Sequence, residues 1–383
     1  MKKLLAILLS VAMLFAISTF CTANSPQPGQ PADFSEWTYT SSETILCYTS
    51  SEVKMLKDGA ILNQAVKNGK IIVVKTDTNT GLHESGAGEL LGMSLSPKNS
   101  DLSPLSTKSM DRGVDVAAIY YEYRENVLGT YIINVGSEDT ANVDILIDEA
   151  IAEIKARQNS PALSVLSTTD APDGTQLLNV FTFFSVRTPK GKLSATYEFA
   201  VTPGYAGRNY FVVKATLDAY PGHVLSDTDS NYQRKYQGET LIATIGAGES
   251  SLWVNDYGPK RDIETGSTSY TVDVTSGLTA IMTSFAGLTG IPLQYSRYVN
   301  HQDTTISVWG DTDFREWNVA LTGGAQKAIC TFEPAATFWC SSSKTSANID
   351  LSAVFEVDSW DTAAEGIPLD YTVTCTLTGA TVN

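Results

Sequence analysis

Residues able to do chemistry are few in this chain and badly spaced for it. Its three histidines, His83, His223 and His301, sit far apart in polar stretches, and none has a second ligand at a metal-binding interval. Asp227-Thr228-Asp229-Ser230-Asn231 begins as a calcium loop does, but Tyr232 stands where the tight turn needs glycine. The pairs Gly86-Ala87-Gly88 and Gly246-Ala247-Gly248 lack the third glycine of a dinucleotide fingerprint and read as turns. A G-x-S-x-G nucleophile elbow is missing from the sequence. The expectation is therefore a chain with no catalytic residues, no metal and no cofactor, whose work is done by surfaces rather than by an active site.

Charge narrows those surfaces. Acidic residues number 42 against 26 basic ones, and setting aside Lys2 and Lys3 with an expected leader brings the net charge to −18. Nucleic-acid binding needs clustered Lys and Arg, and no such stripe occurs, so nucleic acid is excluded as a partner. Residues 1–23 carry the marks of a signal peptide: a basic start, the apolar stretch Leu4 to Phe20, and the small-residue site Cys21-Thr22-Ala23. The mature chain is thus expected to be secreted and to start near Asn24. Export leaves Cys47, Cys330, Cys340 and Cys375, an even count that permits three disulfide connectivities. Cys330 and Cys340 are equidistant from Ala335, so a hairpin turning at residues 333–337 would bring them face to face as a cross-strand disulfide. Reduced, buried thiols are the other outcome, and the pairing of Cys47 with Cys375 stays open.

The elements that must carry these residues fall into two kinds. Residues 24–32 form a Pro-rich lead-in. Residues 33–158 read as a mixed α/β domain: a helix from Lys57 to Asn68 ending at Gly69, a buried strand from Lys70 to Lys75, strands over 114–124 and 129–135, and an amphipathic helix from Asp144 to Gln158 with Ile147, Ile151 and Ile154 on one face. Residues 159–176 are rich in Ser, Thr, Pro, Asp and Gly and read as an exposed linker. Beyond 177, helical periodicity gives way to short strands, which makes 177–383 an all-β module, best fitted by a sandwich. The fold class expected is an α+β N-terminal domain followed by an all-β sandwich with one long amphipathic hairpin.

That hairpin is the most informative segment. From Thr268 to Thr283 one face carries Tyr270, Val272, Val274, Leu278, Ala280 and Met282, and the other is mostly Ser, Thr and Gly. Phe285 lies in the following tip, and Leu293 and Tyr295 alternate with polar residues on the way back. Globular strands average about 5–6 residues, whereas a strand crossing a bilayer needs about 9–11 with lipid-facing and lumen-facing positions alternating. No charge occurs between Asp273 and Arg297. The segment fits a membrane-inserting hairpin; the rival reading is a long edge hairpin of the sandwich with its apolar face in the core.

Other stretches frame this hairpin. Trp253-Val254-Asn255-Asp256-Tyr257-Gly258-Pro259-Lys260 leads into it, Leu293-Gln294-Tyr295-Ser296-Arg297-Tyr298 leaves it, and Trp317-Asn318-Val319, Thr331-Phe332-Glu333-Pro334 and Ile349-Asp350-Leu351-Ser352-Ala353-Val354 follow. In this arrangement, residues 195–378 resemble the leukocidin/hemolysin family of β-barrel pore-forming toxins, in particular cytolysins with an N-terminal pro-domain. The resemblance implies a secreted monomer that binds a target-cell membrane or surface receptor, assembles into a homo-oligomeric ring and inserts one hairpin per subunit. It also implies that the α/β region is a pro-domain and that residues 159–176 are its cleavage site.

Tryptophan gathers late in the chain, and Trp309, Trp317 and Trp339 are expected at a membrane- or ligand-binding rim. The alternative they support is a secreted adhesin or a carbohydrate- or receptor-binding sandwich with no enzymatic activity.

Overall fold

The computed structural model describes residues 44–56, 60–91, 94–98, 109–124, 127–136, 143–158, 176–205, 207–222, 236–259, 263–265, 270–272, 295–297, 304–359 and 365–376. The expected signal peptide, the Pro-rich lead-in, residues 159–175, His223, His301, the calcium-like loop and residues 273–294 lie outside them. The described residues are mostly β-strand.

In chain order the first elements are β1 (Ile45–Thr49), α1 (Ser50–Lys54), α2 (Ala60–Lys67), β2 (Ile71–Lys75), α3 (Ala87–Leu90), β3 (Ser94–Pro97), β4 (Ser109–Met110), β5 (Val114–Arg124), β6 (Val127–Val135) and α4 (Val143–Gln158). Two compact units emerge. The first comprises Met1–Gly92, Asp115–Ile133 and Ser137–Leu163; the second takes Met93–Val114, Asn134–Gly136 and Ser164–Asn383. In the first unit β1 pairs parallel with β2, β2 antiparallel with β5, and β6 follows beside β5. Thr49 and Glu52 close a capping box at α1, and α2 gives way to Gly69 at φ 76°, a backbone that glycine adopts freely. Ile147, Ile151 and Ile154 of α4 are all buried, as their helical spacing requires.

The second unit adds β7 (Gln176–Arg187), β8 (Gly191–Tyr205), β9 (Arg208–Pro221), β10 (Tyr236–Ala247), β11 (Trp253–Gly258), β12 (Ile263–Thr265), β13 (Tyr270–Val272), β14 (Tyr295–Arg297), β15 (Thr304–Gly310), β16 (Phe314–Leu321), β17 (Cys330–Phe332), β18 (Ala335–Ser341), β19 (Ser346–Ser359) and β20 (Glu365–Thr376). One sheet runs β7-β8-β9-β18-β11, with β17 also on β9; the other runs β12-β15-β16-β10-β19-β20-β3, with β4 also on β20. Their inner faces pack together: the Phe183 ring of β7 stacks on Tyr371 of β20 at 4.2 Å, and within the first sheet Phe181 meets Phe199 edge-on at 5.6 Å. This is sandwich packing, with apolar side chains alternating inward along β9, β19 and β20.

One expectation fails here. Cys330 and Cys340 do not face each other across a hairpin, because β17 and β18 both lie antiparallel to β9: Cys330 sits opposite Ala219 and Cys340 opposite Asn209. The stretch of β9 between those partners spans on the order of 30 Å, whereas a disulfide needs Cα atoms within about 7 Å. Glu333 and Pro334 run straight on along β9 rather than turning: Phe332 opposite Leu217 and Ala335 opposite Lys214 keep one register, Pro334 O accepts the Ala215 N–H at 2.8 Å and Glu333 Oε1 accepts from Thr216 Oγ1 at 3.2 Å. Cys47, Cys330, Cys340 and Cys375 form no disulfide with one another.

Candidate functional site

Two features of the second unit stand out, one at each end of β15. The first is the base of the long hairpin. β12 and β15 form the edge of their sheet, with Ile263 opposite Ile306 and Thr265 opposite Thr304. Past Thr265 and before Thr304 the same two chain segments pair again as β13 and β14, a two-stranded sheet of its own. Its register sets Tyr270 opposite Arg297, Thr271 opposite Ser296 and Val272 opposite Tyr295. Residues directly opposite in an antiparallel pair share a face. By register, Tyr270, Val272, Tyr295 and, at the base, Arg297 therefore share one face of the ribbon, with Thr271 and Ser296 on the other. A slip of one residue would have set the apolar face of one strand against the polar face of its partner. Of the other residues expected in the inserting face, Val274, Leu278, Ala280, Met282, Phe285 and Leu293 fall in 273–294, outside the described residues.

At the other end, seven-residue β15 reaches Gly310, about 20 Å from the ribbon's root at ~3.3 Å per residue. Here four turns meet. Ser342 N–H donates to Gly207 O at 3.3 Å, Val254 N–H to Thr312 O at 2.8 Å and Ala247 N–H to Asp313 O at 2.6 Å. Lys344 Nζ joins the group by donating to Glu249 Oε2 at 2.6 Å and Ser251 Oγ at 2.5 Å.

On this scaffold Trp253 and Trp339, paired across β11 and β18, stack with ring centroids 4.6 Å apart. The Arg208 guanidinium lies 3.8 Å from the Trp339 ring centre. Trp309 is 42 % exposed, packs edge-on against Phe314 at 5.0 Å and donates its Nε1–H to the buried Glu316 at 2.7 Å. Trp317 departs from the expected rim. It is fully buried, its Nε1–H donates to Pro259 O at 3.0 Å, and its ring meets Tyr257 at 6.4 Å, so it is a core residue between the sheets. Trp253, 37 % exposed, takes the rim position that the sequence assigned to Trp317. The sequence carries no clear signal for it, and its cross-strand partner Trp339 is visible only once the β11–β18 register is known.

No cluster of three or more His, Cys, Asp and Glu side chains among the described residues is arranged to hold a metal. His83 Nε2 lies 2.6 Å from Asp115 Oδ2 in the first unit. No helix among the described residues is long and apolar enough to cross a membrane, which leaves strands untouched by that test.

No protein-family model matches the chain, and no curated protein matches it. Several solved structures are similar to it in part. A chain described as "Pore forming protein" is 9 % identical, with 52 % of this chain and 89 % of that one covered, at a TM-score of 0.30. Clostridium perfringens delta-toxin is 12 % identical over 54 % of this chain and 94 % of its own, at 0.31. The Clostridium perfringens NetB toxin in its membrane-inserted form is 6 % identical over 52 % and 97 %, at 0.26. By description these are toxins or pore-forming proteins, the class that the sequence pattern resembles. Likenesses of this size carry no assignment of activity, which has to come from the chain's own residues.

Proposed function

We propose that the chain is an exported, membrane-active protein that oligomerises and inserts the 268–298 ribbon as one hairpin of a closed β-barrel. The observation that carries this is the register at the ribbon's base, where Val272 pairs with Tyr295. Continued into 273–294, the same register would bring the apolar positions of both strands onto one face, as a lipid-facing hairpin requires. The ribbon is rooted on β12 and β15, at the edge of its sheet, so it can move without breaking the ladder of the central strands.

A single hairpin in lipid leaves two rows of unpaired backbone groups, each costing several kcal/mol, about the penalty that only barrel closure removes. Oligomerisation is therefore part of the proposal. The Trp253–Trp339–Arg208 stack and Trp309, at the far end of β15, are assigned to contact with a surface receptor rather than to insertion.

The test is dye release from liposomes of several lipid and sterol compositions, with the purified chain before and after mild proteolysis. Release accompanied by heat-resistant oligomers on gels supports the proposal. Intact vesicles and monomers in every mixture would overturn it.

A further inference from the structure

A cut within residues 159–175 separates the chain into two pieces, but the second compact unit is built from both. Residues 93–114 and 134–136 belong to it, together with everything after 164. β3 is the edge strand next to β20, with Pro97 opposite Tyr371 and Ser94 opposite Thr374, and β4 runs parallel to the start of the same strand. Lys98 extends the ladder: its N–H donates to Asp370 O at 2.9 Å, and its ammonium reaches Asp350 Oδ2 at 2.5 Å.

A second tie lies at the end of β7. The Arg187 side chain is buried and donates from Nε and Nη2 to Asp111 O at 3.1 and 2.7 Å, and from Nη2 to Asn134 Oδ1 at 2.9 Å. Gly113 passes so close that a Cβ there would meet Val135 O at 2.3 Å and the Arg187 guanidinium at 2.4 Å, and its φ is +61°.

We infer that the outer edge of β20 and the Arg187 pocket form a docking surface for the chain's own residues 94–98 and 109–113, and that the N-terminal piece stays bound after cleavage in 159–175. Without β3 and β4, β20, a strand of 12 residues, would present an open edge with mostly buried apolar neighbours. Such edges pair readily with other chains, so their occupied state is strongly favoured. Cleavage at the linker is then a nick, and any activation that requires loss of the N-terminal piece needs a second event that peels β3 from β20.

The test uses the full chain with a sequence-specific protease site inserted between Thr168 and Thr169. Cutting is followed on denaturing gels and the product is run on size exclusion without denaturant. Both fragments in one peak at the intact mass are expected, and two separate peaks would overturn the inference.

A second chain tests whether the strap is the cause. The Lys98 N–H bonds to Asp370, and antiparallel pairs alternate, so the Ser96 N–H is the next one aimed at β20. Ser96→Pro with Lys98→Met should raise the apparent dissociation constant of the nicked fragments at least tenfold, while the uncut variant keeps its folded elution volume. Retention as firm as in the unsubstituted chain would remove β3 from the explanation. Neither readout involves lipid, so the result stands apart from that of the liposome assay.

Discussion

Val272 and Tyr295 face each other in a two-stranded ribbon that belongs to neither sheet of the sandwich. Their pairing fixes the register in which the alternation read from the sequence over 268–283 and over 291–296 would meet if it continued beyond the described residues. It also makes the two sides of 273–294 separately testable.

Placing a charge on the proposed lipid face should block insertion. Ala280→Arg is expected to abolish dye release, since a cation at mid-membrane on that face costs about 2–4 kcal/mol per subunit. Thr279→Arg, on the polar face, should retain release. Thermal unfolding monitored by circular dichroism should leave both variants' melting temperatures close to that of the parent.

The rim makes a smaller, local prediction. The Arg208–Trp339 contact should appear as a coupling energy of about 0.5–1 kcal/mol in a double-mutant cycle of Arg208→Ala and Trp339→Ala, read from urea unfolding. Zero coupling would mean that the stack is incidental.

Cysteine chemistry should be nearly silent in the folded chain. Burial, followed by the nearby Asp218 carboxylate, pushes the Cys330 thiol up to about 12, and burial also raises Cys340 and Cys375. Thiolate is the reactive form. Cys330, Cys340 and Cys375 should therefore react with Ellman's reagent at pH 8 only on unfolding, while half-buried Cys47 reacts first. Intact mass under non-reducing conditions should show no loss of hydrogen to disulfide formation.

Acid should selectively weaken one tie in the first unit. The Ser51 hydroxyl, then the backbone N–H groups of Asn79, Ser51 and Thr80, hold Asp77 well below the usual carboxylate range, against the opposing pull of burial. A folded-state value below the unfolded one gives stability that is fully present above the ordinary aspartate value of 3.8 and is lost as pH falls from there through the folded value. Asp77→Asn should thus be less stable than the parent at pH 7, with the gap closing below pH 3.8. Urea midpoints at pH 7 and in acid, up to the onset of acid unfolding, measure it.

The sequence was most legible where one face is buried and the other wet. α4 and β5 obey their periods, and both were placed within a residue or two of their bounds. β10 was missed although it lies at the centre of its sheet, between β16 and β19. Leu241, Ile242, Ala243 and Ile245 are all buried, so alternation disappears, and Gly246-Ala247-Gly248 reads as a turn. Gly238 is small for a packing reason, since a Cβ there would meet the Phe355 ring at 2.9 Å.

The second misreading, at Glu333-Pro334, has a similar origin. Proline after an acidic residue predicts a reversal, but β9 supplies partners on both sides of Glu333-Pro334 in one register and keeps β17 and β18 in line. Both errors come from contacts between residues distant in sequence. The same is true of the rim, where Trp253, Trp339 and Arg208 meet only through the pairing of β9, β18 and β11.

The most direct test of membrane insertion is a fluorescence scan of the ribbon. Single cysteines at Val274, Thr275, Leu278, Thr279, Ala280 and Met282, each in a Cys47→Ser background, would carry an environment-sensitive dye into liposomes. Blue-shifted, lipid-quenchable emission at 274, 278, 280 and 282, with water-like emission at 275 and 279, is the predicted result. Water-like emission at all six positions in the presence of membranes would contradict the proposal that this ribbon enters the bilayer.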